Sequence, residues 1–365
     1  MPSACIHVFS GTGNSLNAAN IIEGRLDCAG WSATLIRIDR TITPPSGSYD
    51  LHVFAFPVYA LDVPDIMLRY LKHLPAGNGA EAVVVATIGK LWAGHSLPGD
   101  SGDEGGAVEH VRGVLSRKGY AVIITDAVPF PANVTLGRLS AGKKEVPGIL
   151  RQSDGHVNRI ADAILAKERK IKKYLPLVPQ IWILLSGIFY HTFGRRGIGK
   201  MFVATKKCNS CGSCVRTCPA GAIHMERGRP RWNWQCEGCH RCINTCPQRA
   251  IEGSALRALT GIALLFVPYA GLFSPVLAST GFVLPTEGIP AFLGGLACWL
   301  VGWTLFMSIL DIIYAQLERP PVNCPVALIG YTRGAERYSN PAVDAAGQKR
   351  VIAENGEEFN LPGSR

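Results

Sequence analysis

The sequence predicts an α/β doubly wound parallel sheet, followed by a small cysteine-rich α+β unit and a transmembrane helical hairpin. Three observations carry that prediction. Short apolar runs alternate with helix-like segments through roughly the first 165 residues, a spacing that implies a parallel sheet covered on both faces. A run of four cysteines closed by proline, CNSCGSCVRTCP at 208–219, returns as CEGCHRCINTCP at 236–247. No charged side chain occurs from Ala258 to Thr286 or from Gly288 to Leu310. Each of these stretches is long enough to cross about 30 Å of hydrocarbon.

Taken in order, Ala4 to Phe9 reads as the first strand and Asn14 to Cys28 as the first helix. Ala33–Ile38, Leu51–Ala55, Ala82–Thr87 and Ala121–Val128 read as further strands. Helical patterns over Pro64–His73, Ala107–Lys118 and Ser153–Lys173 fill the gaps. Ligands of such sheets bind outside the carboxyl ends of the strands. At the end of the first strand, HVFSGTGNSLNAANII sets Ser10, Thr12, Asn14 and Ser15 around Gly11 and Gly13 at a helix N-terminus. Free backbone N–H groups and the helix dipole favour an anion there. The loop has neither the Gly-Lys-Ser/Thr ending of a P-loop nor a G-x-G-x-x-G turn. It also contains no Lys or Arg, so a phosphate would be held by neutral donors.

FSGTGNS resembles the FMN-phosphate loop of flavodoxins, with Ser10, Thr12 and Ser15 in the hydroxyl positions. The resemblance implies an FMN site. In FPVYALDVP, Tyr59 falls where flavodoxin-like proteins set an aromatic ring against the isoalloxazine, with Pro57 shaping the turn. The Gly-rich segment at 87–106, opening with Thr87 and Gly89, falls where the family closes over the flavin, and Trp92 would supply a second ring. This loop is longer than the flavodoxin version and does not match it residue by residue. The implied FMN-binding set is Ser10, Gly11, Thr12, Gly13, Asn14, Ser15, Pro57, Tyr59, Thr87, Gly89 and Trp92.

Thiolates suit iron–sulfur clusters or zinc, but zinc sites usually present two separated C-x-x-C pairs. Here three cysteines arrive at intervals of three, a fourth follows after four more, and proline comes next. That spacing resembles the two-cluster bacterial ferredoxins over residues 204–254, where the fourth cysteine of each run ligates the other cluster. The resemblance implies two [4Fe-4S] clusters with crossed ligation. Cys208, Cys211, Cys214 and Cys246 would hold one, and Cys236, Cys239, Cys242 and Cys218 the other. Each half lends its last ligand to its twin, which explains why the run is written twice. Cys5, Cys28, Cys298 and Cys324 lack ligand spacing and read as inert.

The net charge of +10 is unevenly distributed. Residues 1–150 hold 12 Lys/Arg against 13 Asp/Glu, residues 151–257 hold 19 against 6, and the remainder 6 against 8. The basic block lacks helix-turn-helix or RRM patterns and adjoins apolar stretches, so lipid is expected as its partner rather than nucleic acid. Lys206, Lys207, Arg216, Arg227, Arg229, Arg231, Arg241 and Arg249 make the ferredoxin unit itself basic. Such charge suits an acidic protein partner or an anionic membrane face, and the nearby apolar stretches favour the second.

Ala258–Leu284 and Gly288–Leu310 read as two helices joined near Pro285, Glu287 and Pro290. Arg249 and Arg257 precede them and Arg319 follows, while the connecting loop carries no Lys or Arg. This pattern puts the folded domains on the cytoplasmic face of the inner membrane. MPSACIHVFS shows no signal-peptide pattern, consistent with a reducing compartment. A third apolar stretch, Tyr174–Phe193, has basic flanks on both sides and contains Pro176 and Pro179. It reads as an interfacial or re-entrant segment. The expected organisation is an FMN domain at 1–166, a basic linker at 167–203, the ferredoxin unit at 204–254, the hairpin at 255–319 and an irregular tail at 320–365.

Together the parts resemble flavodoxin–ferredoxin fusion proteins with a membrane hairpin appended. That resemblance implies a membrane-anchored relay between a soluble low-potential donor and a membrane-bound acceptor enzyme. One alternative is direct reduction of quinone or another small molecule, with His191, Asp311 and Tyr314 as candidates at the lipid boundary. The other is a non-catalytic assembly subunit with structural cofactors. No hydrolytic constellation and no nicotinamide fingerprint is present.

Overall fold

The computed structural model describes residues 1–90, 105–135, 141–171, 181, 185–281, 283–318, 330, 332 and 334–340. Strands β1 (Ser3–Val8), β2 (Ser32–Arg37), β3 (Leu51–Pro57), β4 (Glu81–Lys90) and β5 (Ala121–Pro131) form one parallel sheet in the order β2-β1-β3-β4-β5. This is the flavodoxin-type doubly wound order, with its switch point between β1 and β3. The central strands are buried on both faces, as their continuous apolar runs require. Helices α1 (Asn14–Cys28) and α4 (Val146–Leu165) cover one face, over Ile6, Leu16, Ile22, Val53, Val85 and Ile160. Helices α2 (Asp65–His73) and α3 (Ala107–Arg117) cover the other, over Phe54, Phe56, Met67, Leu71, Val84 and Val111.

The differences from the expected elements are local. Helix α4 starts seven residues before the expected Ser153, with Pro147 in its first turn, where a missing N–H costs nothing. It stops at Leu165 rather than Lys173, because Lys167 turns left-handed at φ 54° and the chain runs back along β5. There Lys170 donates its N–H to the Ile123 carbonyl and accepts from Thr125.

Two buried histidines face the second core. His7 Nε2 and His52 Nδ1 lie 3.0 Å apart, and His7 Nδ1 shares a 2.7 Å hydrogen bond with the Tyr70 hydroxyl. Burial, and for His7 also the neighbouring His52, pushes His7 well below its usual value, while burial pushes His52 down to about 4. The unfolded chain therefore binds protons near pH 6.5 that the fold refuses. Stability from this pair is fully present above pH 6.5 and is lost as pH falls toward 4. Thermal midpoints measured across that window should decline on acidification, and His52→Phe should flatten the slope; an unchanged slope would contradict this assignment.

In the cysteine-rich unit, β6 (Phe202–Ala204) pairs antiparallel with β9 (Ile251–Gly253), and β7 (Ile223–Glu226) with β8 (Arg229–Trp232). The repeat is also structural. Left-handed residues recur 28 positions apart, as Ser210 and Gly238, Gly212 and His240, and Gly221 and Arg249. Each run thus wraps the chain in the same way, with a one-turn helix at Ser213–Arg216 or Arg241–Asn244.

The apolar C-terminal helices correct the expected hairpin. Ala258–Leu284 is not one helix: Ala255–Leu265 and Tyr269–Ser279 meet at 62°. Pro268 sits at the break, where it lacks an N–H and disfavours a helical residue before it. Among the described residues, one unbroken helix, Gly288–Leu317, is long and apolar enough to cross a membrane. Its 30 residues span about 45 Å. The bent pair packs along it: Trp299 Nε1 donates to the Leu265 carbonyl at 2.9 Å, and Gly302 leaves room for the Tyr269 ring. Leu259, Phe266, Val276, Phe292, Val301 and Ile312 project outward from these helices.

Residues 172–180 and 182–184 of the linker, with Pro176 and Pro179, lie outside the described residues. From 185 the chain is helical through a π-turn at Tyr190–Gly194 and into Arg195–Met201. Tyr190, Phe193 and Arg195 are buried, while Leu185, Ile188 and Phe189 are exposed. The described part therefore lies with one face against the redox domains. The tail holds a second surprise. The described tail residues 330, 332 and 334–340 form no regular element, yet they are docked. Arg337 donates to the carbonyls of Ile243, Arg249 and Ile251, and Thr332 Oγ1 accepts from Gly253 N–H.

Candidate functional site

The β1–α1 loop sits at the switch point. Gly13, at φ 101°, turns the chain into α1, a conformation that side chains rarely adopt. Ser10 Oγ accepts from the Gly13 N–H at 3.0 Å, and Ser15 Oγ lies 2.8 Å from Thr87 Oγ1 at the carboxyl end of β4. The hydroxyl of buried Thr12 accepts from Asn133 Nδ2. Asn14 Nδ2 donates to the Pro131 carbonyl, and its Oδ1 accepts from the Tyr338 hydroxyl at 2.8 Å. Asn340 N–H donates to the Thr12 carbonyl at 2.7 Å, so the tail fastens this loop. These residues form a polar cradle at a helix N-terminus, suited to an anion. A Gly13→Ala substitution should strain it by about 1–2 kcal/mol. FMN titration should then show roughly tenfold weaker binding; equal affinity would mean that the loop does not hold the phosphate.

Pro57 closes β3, and Tyr59 opens a tight turn back to Asp62 through left-handed Ala60 and Leu61. The Tyr59 ring is half-buried, but its hydroxyl is buried without a hydrogen-bond partner. Gly89 lies against Ala132, near the end of β4. Trp92 falls outside the described residues.

The eight cysteines of the repeat fall into two groups. Cys208, Cys211, Cys214 and Cys246 line one cavity. Cys218 lies instead with Cys236, Cys239 and Cys242 and acts electrostatically on all three. The last cysteine of each run is thus beside the first three of the other. Burial, with Cys218 beside it, pushes the Cys239 thiol up to about 12, so this sulfur ionises only against a compensating cation. Backbone N–H groups point at sulfur, from Gly238 to Cys236 at 3.4 Å, Ala222 to Cys218 at 3.4 Å and Ala250 to Cys246 at 3.3 Å. Such bonds stabilise electron-rich thiolates, so the donor set and its surroundings fit iron–sulfur clusters. Residues 200–247 match the 4Fe-4S dicluster domain family.

Solved structures similar to the chain include flavodoxins. That of Streptococcus pneumoniae TIGR4 is 19% identical, covers 45% of this chain and 99% of its own, with a TM-score of 0.31. That of Megasphaera elsdenii is 16% identical, covers 42% and 98%, with a TM-score of 0.27. An azoreductase from Bacillus anthracis is 11% identical, covers 44% and 99%, with a TM-score of 0.32. No curated protein sequence matches the chain.

The β1–α1 loop and the second cysteine run touch. A Cβ added to Gly11 would lie 3.1 Å from Cys239 Cβ, 3.2 Å from the Cys239 carbonyl oxygen and 2.6 Å from the Tyr59 hydroxyl. Arg241 Nη1 donates to the Gly11 carbonyl at 3.2 Å, His240 Nδ1 lies 2.8 Å from Thr135 Oγ1, and Asn244 Nδ2 donates to the Asn133 carbonyl. Arg241 thereby brings a positive charge to a loop that has none of its own. Sequence reasoning missed the contact of this arginine and those of Tyr338 and Asn340, because each comes from a distant part of the chain. The lipid-boundary candidates do not converge. His191 Nε2 is 3.1 Å from Asp62, Asp311 pairs with Lys200 and Arg257, and the Tyr314 hydroxyl bonds Thr260.

Proposed function

We propose that the chain is a membrane-anchored electron-transfer protein that binds FMN and two [4Fe-4S] clusters with crossed ligation. It relays electrons between a soluble low-potential donor and a membrane-bound acceptor enzyme, from the cytoplasmic face of the inner membrane. FMN exchanges one or two electrons and each cluster one, so the pairing converts between the two kinds of traffic. The observation that carries this reading is the contact of Gly11 with Cys239, because it sets the flavin-phosphate loop directly against one cluster loop. The order of sites is then FMN, the second cysteine run and the first.

The chain's own residues do the positioning. Ser10, Thr12, Asn14, Ser15 and Thr87 would hold the phosphate, the Tyr59 ring would border the flavin, and Arg241 and His240 join the loop to the cluster unit. The long helix is latched to that unit by ion pairs. Lys200 Nζ lies 2.7 Å from Asp311, Arg257 lies 2.8 Å from both Asp311 and Glu318, and Arg231 lies 2.6 Å from Glu318. Anaerobic solubilisation should yield about eight iron atoms and one FMN per chain. Zinc in place of iron, or a chain that fails to take up FMN, would reject the reading. Co-purification of a second polypeptide with its own active site would identify the acceptor.

A further inference from the structure

The eight candidate ligands differ in exposure: among them, Cys211 and no other is exposed. Its cavity is lined by Cys208, Cys211, Cys214 and Cys246, whereas it is Cys239 that meets the β1–α1 loop at Gly11. The rim is basic. Lys206 and Lys207 directly precede Cys208 and are exposed. Exposed Arg216 donates from Nη1 to the Cys211 carbonyl at 2.9 Å. Ser210 bonds the Gly228 carbonyl, which holds exposed Arg227 beside the run, and exposed Arg249 follows the cavity residues Pro247 and Gln248. Among the described residues, none of these five cations has a carboxylate within ion-pair distance.

The cations nearest the apolar helices behave differently. Lys200, Arg231 and Arg257 are largely buried and paired with Asp311, Glu318 and Glu226. Among the described residues, these five cations around the Cys211 cavity are therefore free of ion pairs, whereas those at the root of the apolar helices are paired. Such a single-sign rim raises the local concentration of an oppositely charged partner and orients it on arrival.

We propose that the surface around Cys211, rimmed by Lys206, Lys207, Arg216, Arg227 and Arg249, is the docking site of an acidic one-electron carrier protein. The proposal rests on the electron-transfer reading above. One electron leaves the reduced carrier and enters the cluster held at Cys208, Cys211, Cys214 and Cys246; no bond forms or breaks and no proton moves.

The test uses the full, cofactor-loaded chain in detergent and a chemically reduced acidic ferredoxin as probe. Lys206→Glu, Lys207→Glu and Arg227→Glu are combined, with iron content and the EPR spectrum checking that the clusters are intact. The second-order reduction rate should fall about tenfold or more at low ionic strength. It should converge on the unsubstituted protein's rate near 1 M salt, where the screening length is about 3 Å. Equal rates at low salt would overturn the proposal, as would a salt-independent rate for the unsubstituted protein. Loss of binding to phosphatidylglycerol vesicles with an unchanged carrier rate would also overturn it, and would give these charges to lipid. An unsubstituted protein without cluster EPR signals would instead reject the underlying function.

Discussion

Replacing Cys218 with alanine is expected to abolish the cluster held by Cys236, Cys239 and Cys242 while leaving the other in place. Iron should fall from about eight to about four atoms per chain, with one EPR component surviving. The expectation follows from the grouping of the thiols: Cys218 sits beside the three cysteines of the second run, and Cys246 completes the cavity lined by Cys208, Cys211 and Cys214. Cys246→Ala should give the mirror result. If Cys218→Ala removed the first-run signal alone, the crossed assignment would be wrong. The flavin domain has its own two apolar cores. FMN should therefore remain bound in both variants, which separates loss of a cluster from loss of the fold.

The second large effect is expected at Arg195. Its side chain, 3% exposed, lies 2.9 Å from Asp65 at the start of α2 and 3.4 Å from Glu237, which sits between Cys236 and Cys239. Glu237 also accepts from the Asp65 N–H at 3.1 Å, and the Tyr190 hydroxyl donates to the Glu237 carbonyl at 2.9 Å. One guanidinium from the linker helix thus joins carboxylates on two domains, sharing Asp65 with Arg69. Arg195→Leu would strand the buried Glu237 carboxylate, a kind of change that costs about 3–5 kcal/mol. The thermal midpoint should fall by roughly 10 °C, with faster proteolysis within 185–201. An unchanged midpoint would show that the bridge contributes nothing net, and that packing around Tyr190 and Phe193 holds the linker.

What could be read from the sequence was whatever is encoded locally. The strands were visible as apolar runs and α1 as a helix beginning at Asn14, because local pattern and tertiary burial agree there. The cysteine repeat was readable from its spacing, and the positive-φ positions repeating at 28 residues show the same period in the backbone. Non-local features were not readable. Arg337 and Tyr338 lie in a stretch without periodicity, and their partners are nearly a hundred and more than three hundred residues away. The break at Pro268 was hidden by uniform apolarity, which measures the length of a stretch but not its straightness. Arg241 was counted as ferredoxin charge, although its guanidinium serves the flavin loop.

The most direct test of the central claim is an anaerobic reductive titration of the full chain, followed by flavin absorbance and cluster EPR together. The account predicts uptake of about four electrons, two by FMN and one by each cluster, with rapid exchange between flavin and clusters after a sub-stoichiometric pulse of reductant. Flavin and clusters that fill independently, without exchanging electrons on the timescale of mixing, would contradict it.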